Sequence, residues 1–118
     1  MVINKKQPLI FKPWRPGKKM VIGHYGISVP DNDQTLIPDL IICPLLAYDS
    51  KGMRLGYGGG FYDRTIFNFK QNVEKKVFTV GLAFSCQKYS GKLPINKNDK
   101  KIDSVLTEKG FKFFNTAN

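Results

Sequence analysis

Acidic side chains, histidine, cysteine and tryptophan are all scarce in this chain, and each shortage removes a class of function. Nine Asp and Glu stand against nineteen Lys and Arg in 118 residues, a formal charge of +10. The one histidine, His24, has no partner at ligand spacing, so a Cys/His metal site is excluded and a structural or solvent-facing role is expected. Cys43 and Cys86 read as reduced structural thiols, and a disulfide has no sequence support. No apolar run approaches the length that spans a bilayer. The opening Met1-Val-Ile-Asn-Lys-Lys6 lacks the apolar core of a signal peptide, so the expected location is cytoplasmic. Internal repeats and low-complexity linkers are absent.

What is present reads as one globular domain over 1–118. Hydrophobic residues make up 42% and aromatics 13%, enough for a core but in a chain short for a two-substrate enzyme. The sixteen Lys and three Arg are spread from residue 5 to residue 112 without a dense block. A nucleic-acid face clusters its basic residues and favours Arg. Dispersed Lys makes a solvated surface that still attracts anionic substrates. A basic RNA-associated domain is therefore the minor reading.

The most informative stretch is Asp49-Ser-Lys-Gly-Met-Arg-Leu-Gly-Tyr-Gly-Gly-Gly-Phe-Tyr-Asp-Arg64. It places Gly56, Gly58, Gly59 and Gly60 between an apolar run, 40–46, and a helix-period pattern, Tyr62, Ile66, Phe69, Val73. A strand, a glycine-rich loop and a helix start direct backbone N–H groups at one place, which is how proteins cradle phosphate. Glycine lets the main chain take positive φ and approach phosphate oxygens closely. Asp63, in the first turn of the helix, is favoured there by the dipole and is able to hold Mg²⁺ beside phosphates. The competing reading is a plain flexible loop. A Walker loop would need Lys-Ser/Thr after its last glycine, and a dinucleotide fingerprint would need glycine at position 61; Phe61-Tyr62 satisfies neither.

Around this loop the pattern predicts a buried strand within 39–47, a helix from Tyr62 to about Asn72, and a second buried strand over 77–84. That is a βαβ unit with parallel strands. Residues 39–47 are too continuously apolar for a half-exposed strand, which predicts a sheet covered on its two faces. Ser104–Thr107 adds a short strand and Phe111–Asn115 an edge strand. Leu9–Phe11 and Met20–Ile22 are further short candidates. Trp14 is core filling or, alternatively, a stacking surface, and 30–35 is a surface turn. The glycine loop then lies at the carboxyl end of a parallel strand, where open α/β sheets bind ligands, and Asp99 reaches the same zone from the next loop.

Pro38-Asp-Leu-Ile-Ile-Cys-Pro-Leu-Leu-Ala-Tyr-Asp49 followed by Gly52-Met-Arg-Leu-Gly-Tyr-Gly-Gly-Gly-Phe-Tyr-Asp-Arg64 resembles the 5-formyltetrahydrofolate cyclo-ligase (methenyltetrahydrofolate synthetase) family. Gly81-Leu-Ala-Phe84 with Gln87, Leu93-Pro94, Asn98-Asp99 and Ile102-Asp103-Ser-Val-Leu-Thr107 follow in the family's order. Leu9-Ile-Phe-Lys-Pro-Trp14 and Tyr25-Gly-Ile27 extend the likeness upstream. The resemblance implies an α/β, three-layer, Rossmann-like and mostly parallel sheet. It also implies that 5-formyltetrahydrofolate and ATP are converted to 5,10-methenyltetrahydrofolate, ADP and phosphate. The formyl oxygen would take the γ-phosphoryl group, and N10 would then close the ring and expel phosphate. Such chemistry is carried by positioning and charge neutralisation, without a Ser/His nucleophile.

On that resemblance Arg54, Leu55, Gly56, Tyr57, Gly58, Gly59, Gly60, Phe61 and Tyr62 would bind ATP. Tyr57, Gly58, Gly59, Gly60 and Phe61 would also border the folate. Arg54, Tyr57 and Gly59 would serve the reaction, and Asp63 and Asp99 would hold Mg²⁺. Local alternatives remain for several: Arg54 bridging to Asp49, Tyr62 packing the helix, Phe61 filling the core, Arg64 structural.

Two departures qualify the likeness. Val29 stands where the family carries an acidic or amide residue, which weakens a folate contact there. The family also has roughly 60 to 90 further residues before the matching part, so an incomplete domain with an uncovered sheet is expected. Weak or absent turnover by the chain alone, self-association through that sheet, or a non-catalytic nucleotide/folate-binding module are the corresponding expectations.

Overall fold

The structure is a computed structural model that describes residues 1–2, 6–72, 74–94 and 96–114. Its centre is a four-stranded sheet of β3 (Leu40–Cys43), β6 (Phe78–Leu82), β7 (Ser104–Thr107) and β8 (Gly110–Phe113), hydrogen-bonded in that order. β3 and β6 are parallel, as are β6 and β7, while β8 returns antiparallel at the edge. The mixed, mostly parallel sheet agrees with the expected βαβ unit. Asp103 ties the central strands at their entry: its Oδ2 accepts from Thr79 N at 2.8 Å and from Thr79 Oγ1 at 3.0 Å.

The crossover helix is α1 (Phe61–Lys70), one residue earlier at its start than expected and two shorter at its end. Its 3.6-residue period turns Tyr62, Ile66 and Phe69 inward. Ile66 joins a buried cluster with Ile41, Cys43, Leu45, Tyr48, Ile102, Val105 and Phe114, against which Tyr62 and Phe69 pack. Each such side chain, once buried, contributes about 1.5–3 kcal/mol. Val73, expected to extend this stripe, and Asn115, expected in the edge strand, lie outside the described residues.

Two small hairpins flank the sheet. β1 (Met20–Ile22) pairs antiparallel with β2 (Ser28–Pro30), and Val29 of β2 is buried. The strand at 28–30 has no counterpart in the sequence reading, because Pro30 masks it. β4 (Ala47–Tyr48) pairs antiparallel with β5 (Arg54–Leu55), so the first part of the 49–64 stretch closes a hairpin ahead of the glycines. Its turn is closed by Asp49, whose Oδ1 accepts from Lys51 N at 2.9 Å and Met53 N at 3.1 Å. Leu9–Phe11 forms no strand among the described residues; Phe11 makes a single bridge to Leu36.

Among the described residues α1 covers one face of the sheet and much of the other is exposed, so they give two layers. Ile41 and Cys43 face α1 and are buried, whereas Leu40 and Ile42 alternate to the other side and are 48% and 58% exposed. Leu82, Phe111 and Phe113 are also exposed. Register places them on that same side with Phe78 and Leu106, both half-buried, around Val80 and Ser104, which are buried in its middle. A run of apolar residues signals burial on two sides. Here the described residues cover one.

Candidate functional site

The glycine loop occupies 56–60, between β5 and α1, and its two ends are held differently. At the near end Arg54 turns inward instead of toward solvent. Its side chain is almost fully buried, with Nη2 3.7 Å from Asp63 Oδ1 and Nη1 donating to Pro44 O at 3.3 Å. The guanidinium lies 5.4 Å over the Tyr62 ring, and Nε has no partner among the described residues. A Cβ on Gly56 would come within 2.8 Å of Arg54 Nη1, so the loop passes directly over this cation. The alternative pairing with Asp49 does not occur, since that carboxylate closes its own turn.

At the far end Gly60, with φ +71, is the N-cap of α1 and carries no side-chain cap. Gly58 has φ +96, and a Cβ there would meet nothing within 4 Å. The glycine is thus required by backbone conformation, and the space beside it is open to a ligand. Helix α1 is fixed by Thr65, which donates from Oγ1 to Phe61 O at 2.6 Å and accepts from Leu9 N at 2.8 Å. Thr65 was invisible to sequence reasoning, because a mid-helix threonine has no signature.

Asp63 projects from the first turn of α1. Besides Arg54, its Oδ1 accepts from Lys100 N at 3.0 Å, which docks the 96–100 loop against the helix. In that loop Asp99 Oδ2 accepts from Asn96 N at 2.9 Å. Both aspartates therefore border one space. It is a cavity of about 820 Å³ lined by the whole stretch Arg54 to Arg64, by Phe67 and Asn68 of α1, by Asn96, Asn98, Asp99 and Lys100, and by Pro8 and Pro94. Every residue expected to bind ATP, folate or metal stands in this wall. Pro8, Phe67, Asn68, Asn96 and Lys100 are the members that residue patterns did not single out.

Charge and aromatic surface are paired around the opening. Arg64 lies 4.9 Å over the Phe61 ring and Lys100 Nζ 5.0 Å over Phe67. Tyr25, a non-glycine residue at φ 60, stands edge-on to Phe61 with centroids 6.4 Å apart. Tyr57 is 71% exposed. Beneath the loop, burial raises the Tyr62 hydroxyl above its usual range, and the nearby Cys43 adds to this while Arg54 opposes it. Burial likewise pushes the Cys43 thiol up to about 11, against the pull of Arg54.

A metal fits this donor set in a limited sense. Among the described residues no three His, Cys, Asp or Glu side chains converge. Mg²⁺ nevertheless needs only one or two protein carboxylates when phosphates and waters complete its shell. Asp63 and Asp99, each engaged by backbone N–H through one oxygen, supply that number.

No helix among the described residues is long and apolar enough to cross a membrane. The model of the 5-formyltetrahydrofolate cyclo-ligase family matches residues 4–108. The chain is 39% identical over 106 residues to the 5-formyltetrahydrofolate cyclo-ligase of Haemophilus influenzae, covering 86% of this chain and 54% of that protein. It is 38% identical over 104 residues to the one from Escherichia coli strain K12, covering 84% and 55%. A solved 5,10-methenyltetrahydrofolate synthetase from Mycoplasma pneumoniae superposes with a TM-score of 0.50 at 27% identity, covering 67% of this chain and 46% of that one. The chain thus spans about half the length of the curated relatives it matches.

Proposed function

Because the chain belongs to the 5-formyltetrahydrofolate cyclo-ligase family, we propose that it forms the phosphate-binding part of an ATP-dependent ligase that closes 5-formyltetrahydrofolate to 5,10-methenyltetrahydrofolate. The observation that carries this reading is the open approach at Gly58 within a wall that also holds Asp63, Asp99 and two ring-mounted cations. Main-chain N–H groups of Gly58, Gly59 and Gly60 and the start of α1 suit a triphosphate, because they are donors that need no desolvation of a side chain.

Asp63 and Asp99 would hold Mg²⁺, which supplies charge neutralisation to the phosphates when bound. Arg54 acts from below. Buried against Asp63, it orients that carboxylate and supports the loop, and so is a positioning residue. Tyr57 and Phe61 border the space where the pterin would meet the γ-phosphate, with Tyr25 bracing Phe61. In the reaction the formyl oxygen takes the γ-phosphoryl group from ATP, releasing ADP; attack by N10 then closes the ring as phosphate departs. The residues named here bring the reactants together and offset charge, which is the main requirement of phosphoryl transfer.

The chain's span of about half its relatives and the open sheet face support a second reading, in which it binds nucleotide without turnover. The third layer would then come from polypeptide equivalent to the relatives' remaining part, or the face would pair with a second copy. Titration with Mg-ATP, followed by a methenyltetrahydrofolate absorbance assay, tests both. Nucleotide binding with slow or no ring closure is the expected result for the chain alone. A chain that binds no nucleotide with Mg²⁺ present overturns the proposal.

A further inference from the structure

We infer that Lys100, held over the Phe67 ring, is a ligand for the terminal phosphate of the bound nucleotide; the inference rests on the nucleotide reading above. The 96–101 segment is rich in lysine, and its members are not equivalent. Lys97 and Lys101 are exposed and lie outside the cavity wall, whereas Lys100 is half-buried and forms part of it.

Two contacts from different parts of α1 set its position. Its backbone N–H is bound to Asp63 Oδ1 at 3.0 Å, in the first turn, and its Nζ lies 5.0 Å over the ring of Phe67, one turn further on. Among the described residues its ammonium has no carboxylate within ion-pair distance. A lysine on an aromatic face keeps its charge, gains from the ring quadrupole, and has already given up part of its rotamer freedom. Such a cation is pre-organised for an anion entering the cavity.

Charge balance points to phosphate. Asp63 is already opposed by Arg54 at 3.7 Å, so a Mg²⁺ shared with Asp99 leaves a polyphosphate with unneutralised oxygens. Lys100 follows Asp99 directly in the chain; both residues line the cavity, as does Phe67, over whose ring the ammonium lies. The carboxylates of a folate tail offer similar anionic oxygen, and the experiment separates the two.

The substitution Lys100→Met keeps most of the apolar stem over Phe67 and removes the charge. Calorimetric titration of the 118-residue chain with Mg-ATP, AMP, 5-formyltetrahydrofolate and inorganic tripolyphosphate, with a thermal melt of each variant, reads the outcome. Lys100→Met is expected to weaken Mg-ATP and tripolyphosphate about tenfold, the scale of one charge-assisted contact. AMP affinity and the melting temperature should stay unchanged, and Lys100→Arg should recover most of the loss. Phe67→Leu should give a smaller loss in the same direction. Mg-ATP affinity unchanged within twofold in Lys100→Met overturns the inference, as does an equal loss for AMP. Loss of 5-formyltetrahydrofolate affinity with ATP intact overturns it too and assigns the lysine to the folate tail. If the parent chain binds tripolyphosphate in a Lys100-dependent way but not ATP, the phosphate site stands while the nucleotide reading falls.

Discussion

Arg54 and Asp63, nine residues apart and on opposite sides of the glycine loop, meet beneath it with Nη2 and Oδ1 3.7 Å apart. The pair joins the β4–β5 hairpin to the first turn of α1, so loop shape and carboxylate orientation are set by one contact. Arg54 is nearly fully buried while Asp63 is partly exposed, so removing the cation is cushioned by solvent at Asp63. Arg54→Met is expected to lower unfolding free energy by about 1–3 kcal/mol in urea melts, and to weaken Mg-ATP binding in the same preparation. Unchanged stability would mean that the pair is ornamental.

Gly58 and Gly52 provide a contrast. Both have positive φ, but a Cβ on Gly58 enters open space while one on Gly52 meets Ile102 O at 2.9 Å and the Phe114 ring at 3.0 Å. Gly52→Ala should cost stability on the order of 1–3 kcal/mol with nucleotide affinity retained per folded molecule. Gly58→Val should cut nucleotide affinity at least tenfold, with a smaller effect on the melt. Equal affinity losses from the two substitutions would argue against a phosphate path at Gly58.

The uncovered sheet face carries its own expectation. Leu40, Ile42, Leu82, Phe111 and Phe113 are all more than 45% exposed, and Phe111 and Phe113 stack at 5.6 Å. Exposed apolar area of this extent favours association. The chain by itself should sediment as a concentration-dependent oligomer, and Ile42→Lys with Phe113→Lys should shift it toward monomer. A monodisperse parent monomer at high concentration counts against this.

Cys43 gives a pH test. Its folded pKa of about 11 lies above the ordinary value of 9.0, so above pH 9 the unfolded chain loses this proton first. The native state then holds more protons, and stability must fall as pH rises from 9 to 11. Denaturation midpoints across that window should decline, with a shallower decline in Cys43→Ala. In native protein at neutral pH, a thiol reagent should label the exposed Cys86 and spare Cys43.

Thr65 links α1 to the upstream segment. Thr65→Val removes the acceptor for Leu9 N and the bond to Phe61 O. A part-buried N–H left without a partner costs roughly 1–3 kcal/mol. Hydrogen exchange at Leu9 should accelerate more than exchange in β6.

Much of this arrangement is legible in one dimension, for local reasons. The parallel pairing of 40–43 with 78–82 follows from two apolar runs separated by a helix. The position of α1 follows from the spacing of Tyr62, Ile66 and Phe69. The glycine loop was located from composition, and Asp63 and Asp99 from their places at the ends of elements. That Arg54 is buried against Asp63, and that Asp49 is taken up by its own turn rather than by Arg54, leaves no trace along the chain. The β1–β2 hairpin and the bracing of Phe61 by Tyr25 were missed, since a cross-element contact leaves no periodic trace.

By itself the amino-acid order determined the family, the strand–helix–strand core and the identity of the glycine-rich loop, because each depends on neighbours within a few residues. Only the tertiary structure decided which charges face the cavity. Burial of Arg54, docking of Lys100 on Phe67 and exposure of Ile42 depend on which distant segments pack together, and that is a property of the sheet and its helix in space.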